Sequence, residues 1–481
     1  MRICLLAEGS YPYVVGGVSS WCQMLIQGLP QHEFFIYSIG AESKDKGAFK
    51  YKFPPNLKGI QEEFLDDILG QHSHGMLENI LTADERETIY ELVVGGYPLD
   101  IKRLAVIFRD RRRFASSLDI FMSSDFFDVI QRVYVEKYSY LPFTDFFWTI
   151  RSMLLPLLYL LQQDLPEADL YHSVATGYCG VIGAMAAEIY HKPFIITEHG
   201  IYSREREVEI IKSDWAKGDF KSVWIQYFYN LAKLSYNTAD RVYTLFEHNG
   251  EIEQSLGCAP EKIGIVPNGV HMERFAHIGE LTEHEGPFTI GAVVRVVPIK
   301  DIVTLLRAFF LLKAEIPDAR LYVMGGCDED KEYFALCKQT VAMLKLTDVE
   351  FTGSVNVAEY LPKMDLMMLS SISEGQPLAV LEGFAAHRPF VTTNVGCCWE
   401  LIYGDSSDDL GEAGAVVAPM DFEAMAREMA RLGKDFELRR KMGNIGYERT
   451  KRNYTYEQFL ERYREIYERY FRRRQRGRCR F

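Results

Sequence analysis

Apolar and polar positions along the chain alternate as two series of short hydrophobic runs separated by amphipathic segments. The first opens with ICLLAE at 3–8, which leads into Gly16-Gly17 and a segment where Trp21, Met24 and Leu25 recur at helical spacing. FFIYSI, DLYHSV, PFIITEHG, RVYTLF and KIGIVPNGV follow, and DLYHSV, PFIITEHG and RVYTLF each feed a helical segment. The second series starts at FTIGAVVRV and continues through RLYVMGG, VEFTGS, LMMLSS, FVTTNVG and AVVAP, again with helices between. Nearly continuous apolar runs alternating with helices predict parallel strands covered on both faces. The expectation is two doubly wound α/β domains facing one another across a cleft, with ligands at the carboxyl ends of the strands.

The join is expected near 277–287, where HIGELTEHEGP is polar and carries Gly and Pro. This puts a first domain at 1–280 and a second at 286–454. Residues 50–168 interrupt the first series and predict a helical insert. Between Phe121 and Trp148 it holds Phe126, Phe127, Tyr134, Tyr138, Tyr140, Phe143, Phe146 and Phe147. Such a stripe either fills the core of a helical subdomain or offers rings on which acceptor sugars stack; the sequence leaves both open. Near the end, Phe459, Tyr463, Ile466, Tyr467 and Tyr470 recur at three- and four-residue steps, an amphipathic helix within 455–481.

Composition narrows the class. The 481 residues suffice for two or three domains, and 48% hydrophobic with 25% charged is globular. The start MRICLLAEGSYP reads as a strand, not a signal peptide, and the run MLLPLLYLL at 153–161 is far below the roughly 20 residues that span a bilayer. Nine cysteines without metal-like pairing suit reduced thiols in a cytoplasmic protein. Net charge is −13, yet Arg469 to Phe481 holds seven arginines and no acid, so the remainder stands at −20. An acidic body argues against nucleic-acid binding. The basic end RRRQRGRCRF is either a solvated terminus or a docking element for an anionic surface at the inner face of the membrane.

Candidate chemistry gathers at the expected strand ends. Gly16 and Gly17 can bring backbone N–H groups close to a phosphate. TEHG ends a run and places His199 at a strand terminus, and RVVPIKD puts Arg295 and Lys300 just after another, two cations fit for a diphosphate. SEGQPLAVLEGFAA, residues 373–386, predicts a helix with Pro377 at its first position and Pro389 as its stop. Glu374 precedes that helix, and Glu382 borders its apolar face of Leu378, Leu381 and Ala385. A carboxylate so placed costs several kcal/mol of desolvation unless something bonds to it. Capping and surface acids are one explanation, acceptors flanking a phosphate at the helix start another. Asp328-Glu329-Asp330 has D-x-D metal spacing but also suits acids capping a surface helix.

These residues, with VPNGVHMERF at 266–275 and EAGAVVAP at 412–419, resemble the retaining, sugar-nucleotide-dependent glycosyltransferases of the GT-B fold, family four. The insert, LAEGSYPYVVGGVSSW and ITEHGIYSRERE further resemble the Pel exopolysaccharide glycosyltransferases. The resemblance implies two Rossmann-like domains, the second binding the nucleotide sugar, and a C-terminal helix that crosses back to the first. It implies that Arg295 and Lys300 neutralise the donor diphosphate, that Glu382 accepts bonds from the ribose, and that Glu374 and His199 face the donor sugar. Backbone from Gly375 through Gln376 and Pro377 to Leu378, with Gly16 and Gly17, would hold the diphosphate. Implied partners are a UDP-sugar, a polysaccharide acceptor and inner-membrane Pel-type assembly proteins, with no metal or other cofactor. Glu198-His199-Gly200 departs from the family's usual His-Asp context and leaves Glu198 without a role. Alternatives are a storage-glucan-synthase-like transferase using another nucleotide sugar and a catalytically silent nucleotide-sugar-binding subunit. The absence of G-x-G-x-x-G after the first strand disfavours a dehydrogenase.

Overall fold

A computed structural model describes residues 1–478 apart from 74, 76, 95–98, 217, 406 and 407, with side chains as far as Arg472. The arginines from 473 to 480 therefore lie outside the described side chains. Internal contacts divide the chain into two units, 1–265 with 463–481, and 266–462.

The first unit is built on a seven-stranded parallel sheet in the order β3-β2-β1-β4-β5-β6-β7. Its strands are β1 Arg2–Glu8, β2 Glu33–Gly40, β3 Leu57–Phe64, β4 Leu170–Ser173, β5 Phe194–Glu198, β6 Arg241–Thr244 and β7 Ile263–Ile265. Ile3 through Ala7, Phe194, Ile195 and Ile196 are fully buried, as expected of strands with helices on both faces. The second unit carries a six-stranded parallel sheet in the order β10-β9-β8-β11-β12-β13. These strands are β8 Thr289–Val293, β9 Arg320–Met324, β10 Val349–Gly353, β11 Leu366–Leu369, β12 Phe390–Thr393 and β13 Gly414–Val417. Strand order reverses direction between β1 and β4 in one sheet and between β8 and β11 in the other. At those two places consecutive crossovers leave on opposite faces and open a crevice above the strand ends.

Three boundaries differ from the sequence expectation. Within 50–168, Leu57–Phe64 is the edge strand β3, paired to β2, so the insert becomes helical only beyond it. LKGIQEEF is half-buried and polar, as an edge strand tolerates, and lacks the apolar run that reveals a central one. The expected join near 277–287 lies inside the second unit, which begins at Val266. Polar residues there are tied down: His284 Nε2 lies 3.1 Å from Asp365 Oδ1, and Arg388 donates to the Gly279 carbonyl. Pro377 is the cap of helix Leu378–Ala385 with extended ψ, one position before the first helical residue.

The aromatic stripe of the insert is mainly core. Phe126 and Phe146 are fully buried, and Tyr138 stacks on Phe146 with centroids 4.9 Å apart. Phe127, Tyr140 and Trp148 remain exposed. All eight cysteines described are free, and burial raises the thiol pKa of the adjacent Cys397 and Cys398. Among the described residues no helix is long and apolar enough to cross a membrane. The final helix, Tyr456–Arg478, keeps its backbone helical past Phe471.

Two glutamates are enclosed in the first unit. Glu198, at the end of β5, and Glu253, on helix Glu247–Ser255, are both fully buried. Desolvation holds their protons to higher pH than an ordinary carboxyl, Glu198 to about 7 and Glu253 to about 9, with the Glu198 charge adding to the shift at Glu253. An unfolded carboxyl loses its proton near 4.5. Between that pH and about 9 the folded chain binds more protons than the unfolded one, so stability falls as pH rises through the window. Calorimetry is expected to show the unfolding temperature declining over this range, with the decline flattened in Glu253→Gln, whose amide does not titrate.

Candidate functional site

In the second unit the switch point between β8 and β11 collects the charged residues. The chain leaves β8 through Arg295 and the 3₁₀ turn Pro298–Lys300; it leaves β11 through Ser370, Ser371 and Glu374. Two cross-links lock these exits together: Ser370 Oγ donates to the Lys300 carbonyl at 2.8 Å, and Ile372 N to the Ile299 carbonyl at 2.8 Å. Lys300 Nζ then meets Glu374 Oε1 at 2.6 Å, and Ser371 Oγ donates to the same oxygen at 2.5 Å. Both charged side chains are largely buried, 17% and 11% exposed, so each relies on the other to offset its desolvation.

The loop after Glu374 is held by backbone. Cys397 N donates to the Gly375 carbonyl at 3.0 Å. Gly396, at φ +52, must be glycine, because a Cβ there would sit 2.0 Å from that same oxygen. Gln376 Oε1 accepts from Asn268 N at 2.6 Å, while Gln376 Nε2 and Asn268 Oδ1 are buried without a partner among the described residues. Pro377 and Leu378 follow and start the helix. Glu382, on its second turn, is raised in pKa by burial, and Arg274 Nη1, 3.6 Å from its carboxylate, partly offsets that. Gly383 permits the close packing, since a Cβ would lie 2.3 Å from the Phe390 ring.

Arg295 is placed differently from Lys300. It is half-exposed, and its Nη1 donates to both carboxylate oxygens of Glu329, each at 2.6 Å. An exposed pair is worth about 0–1 kcal/mol, so its guanidinium can exchange a carboxylate for a phosphate at little cost. The acidic triad has structural work: Glu329 pairs with Arg295, and Asp330 caps helix Lys331–Met343 by accepting from Tyr333 N. Among the described residues no group of three His, Cys, Asp or Glu side chains is disposed to hold a metal ion.

The first unit contributes a separate set. Gly16 caps helix Gly17–Gly28 with extended backbone at φ −175, which any residue could adopt. A Cβ on Gly16 or Gly17 would meet nothing within 4 Å. Packing does not demand glycine here; what glycine does is leave the helix-start amides approachable. His199 directly follows β5, edge-on to Trp21 at 4.9 Å between centroids. Burial lowers its pKa to about 3, so the imidazole is neutral at physiological pH, and its enclosed Nε2 has no partner among the described residues. Behind it, His172 Nε2 and the Tyr463 hydroxyl each lie within 2.9 Å of Thr197 Oγ1, and His172 Nδ1 lies 2.8 Å from the Tyr467 hydroxyl.

Sequence reasoning missed Ser371, Asn268 and Arg274. Ser371 ends an apolar run three residues before a glutamate, a signal available in LMMLSS. Arg274 was one charge in a polar stretch, with nothing in its spacing to tie it to Glu382, 108 positions on.

Comparison with known proteins now bears on this geometry. The family described as a domain of unknown function (DUF3492) matches residues 1–261, and the family described as glycosyl transferases group 1 matches 287–435. The chain is 23% identical over 262 residues to an MMP alpha-(1->4)-mannosyltransferase of Mycolicibacterium hassiacum, covering 53% of this chain and 60% of that protein. It is 33% identical over 171 residues to the N-acetyl-alpha-D-glucosaminyl L-malate synthase of Bacillus anthracis, covering 35% and 42%. The match to the capsular polysaccharide biosynthesis glycosyltransferase CapM of Staphylococcus aureus is 24% over 314 residues, 61% and 74%. The matches thus span about half the length of the first two relatives. Among solved structures, sucrose-phosphate synthase from Thermosynechococcus elongatus aligns at TM-score 0.61 and 16% identity, covering 98% and 99% of the chains. Anabaena HepE in complex with UDP aligns at 0.60 and 12%, covering 97% and 100%. At such identities these establish the GT-B fold. With more than half its length matching one family, the chain belongs to the DUF3492 family and carries a group 1 glycosyltransferase domain within a GT-B fold.

Proposed function

We propose that the protein is a retaining glycosyltransferase that moves a sugar from a UDP-sugar to a growing exopolysaccharide. The observation that carries this reading is the Lys300–Glu374 pair at the switch point of the second sheet, followed at once by the start of helix Leu378–Ala385. A cation, free amides and a helix start at one crevice suit a nucleoside diphosphate. Glu382 stands where it can accept from ribose hydroxyls. HepE was solved with UDP, and CapM is named for capsular polysaccharide synthesis, which supports donor and product class.

In the reaction the bond between the anomeric carbon and the β-phosphate oxygen breaks as the acceptor hydroxyl oxygen bonds to that carbon. UDP leaves, and the acceptor's proton ends on the departing phosphate. Lys300 and Arg295 neutralise the charge growing there, the main contribution to catalysis. Glu374, held on one oxygen by Lys300 and Ser371, faces the cationic sugar. The exopolysaccharide is of the Pel type in this reading, as the PelF-like insert and ITEHGIYSRERE favour. The enzyme works in the cytoplasm, with its arginine-rich end drawn to the membrane where assembly partners reside.

Glu382→Ala is expected to weaken UDP binding by at least tenfold in calorimetry while the chain stays folded, since hydrogen bonds to a charged acceptor are worth about 1.5–3 kcal/mol each. Unchanged affinity would refute the ribose role. Donor turnover is expected to survive excess EDTA, because Lys300 and Arg295 supply the positive charge; activity restored only by a divalent ion, and lost in Asp328→Ala, would overturn this. Deleting 472–481 is expected to leave UDP-sugar hydrolysis intact and reduce sedimentation with anionic vesicles, each arginine near such a surface adding about 1 kcal/mol.

A further inference from the structure

The loop after Glu374 is held by two bonds, and one of them runs through a side chain that the proposed chemistry leaves idle. Cys397 N donates to the Gly375 carbonyl at 3.0 Å. The next residue, Gln376, accepts through Oε1 from the main-chain N–H of Asn268 at 2.6 Å, across 108 positions of sequence. Both residues are buried, 8% and 6% exposed. Packing alone does not account for a glutamine here. Its Nε2 is enclosed without a partner among the described residues, a desolvation cost that a methionine of the same length would avoid. What the amide supplies in return is the acceptor for Asn268 N, an enclosed main-chain donor that needs one.

The far end of that bond is fixed. Asn268 lies two residues inside the second unit, which begins at Val266. Val270 N donates to the Tyr454 carbonyl at 2.8 Å, and Tyr456 N donates to the Val270 carbonyl at 3.0 Å. Gly269 between them admits no side chain: a Cβ would lie 2.5 Å from the Thr455 carbonyl oxygen and 2.8 Å from Phe459 Cβ. The His271 ring lies against Tyr456, with centroids 3.8 Å apart. The stretch where the chain enters the second unit is thus joined to the stretch 454–459, from which it goes on to rejoin the first unit at Tyr463. Gln376 ties the loop to that junction. The same entering segment reaches the helix after the loop as well, where Arg274 Nη1 comes within 3.6 Å of the Glu382 carboxylate.

We propose that Gln376 is the positioning residue of the loop: its side chain sets where Gly375, Pro377 and the start of helix Leu378–Ala385 stand, and it carries a change at the loop to the segment 266–271. A ligand that orders the loop orders Asn268 through the same bond. That the ligand is a nucleoside diphosphate rests on the function proposed above; the tie between loop and segment does not.

Hydrogen exchange of the full chain, read on peptides covering 266–271 and 394–399, tests this together with UDP calorimetry on the same samples. The first peptide contains the Asn268 amide and the second the Cys397 amide, one for each bond that holds the loop. Without nucleotide, Gln376→Met is expected to stay folded and to exchange about tenfold faster in both peptides; its UDP affinity is expected to fall about tenfold, as a lost hydrogen bond allows. Gln376→Glu, which keeps an acceptor oxygen at the same reach, is expected to restore protection in both peptides. Asn268→Ala leaves the main-chain donor in place and is expected to match the wild type. A merely local role would speed the 266–271 peptide alone. That outcome overturns the proposal, as does faster exchange in Asn268→Ala. If Gln376→Met does not fold, the wild type decides: UDP is expected to slow exchange in both peptides, and slowing confined to 394–399 overturns the proposal. A wild-type chain that does not bind UDP sinks the donor assignment alone, because the comparison without nucleotide still stands. UDP binding with unaltered exchange at 266–271 in Gln376→Met sinks the tie alone.

Discussion

A parallel sheet covered by helices on both faces leaves its strand ends as the places where polar groups can gather without disturbing the core. Arg295, Lys300, Glu374 and His199 all obey that constraint. The middle of each central strand is apolar and closed to water, so charge can enter only where the strand stops and the backbone turns toward a helix. Strand order then selects among the ends, because at β1/β4 and β8/β11 the connections part to opposite faces. Lys300 and Glu374 stand on the two sides of one such place, and Gly16-Gly17 follows a strand that borders the other.

Charge is unevenly committed within the second unit. Lys300 and Glu374 are mostly buried and depend on one another, whereas Arg295 and Glu329 are half-exposed and loosely matched. The first pair resists rearrangement because separating it leaves a buried charge unmatched. The second exchanges partners readily. In the function proposed, a site that holds a diphosphate and releases it gains from both kinds. Glu382 lies between these extremes, with one guanidinium 3.6 Å away as its only ion-pair partner among the described residues.

Where the terminal helix packs on the first sheet, the polar contacts are made by neutral groups. Thr197 and His172 bond to Tyr463 and Tyr467 of the terminal helix, and Trp21 packs edge-on to both His172 and His199. Hydroxyls and neutral imidazoles fix geometry at less desolvation cost than ions. Glu198 and Glu253, by contrast, are buried carboxyls, and their burial makes stability depend on pH.

The sequence alone determined the two series of parallel strands, because strands buried on both faces must be apolar throughout and so announce themselves. It also determined the strand-end positions of Lys300, His199 and Glu374, and the capping role open to Asp330, since these follow from local order along the chain. It hid β3, whose edge position tolerates the polar run LKGIQEEF, and it misplaced the join, because polar residues such as His284 are tied to partners far away in sequence. Only the tertiary structure decided that Arg274 approaches Glu382 and that Ser371 shares an oxygen of Glu374 with Lys300. Each is a contact between segments that folding alone brings into reach, and neither periodicity nor spacing records which distant side chains will share one desolvated space.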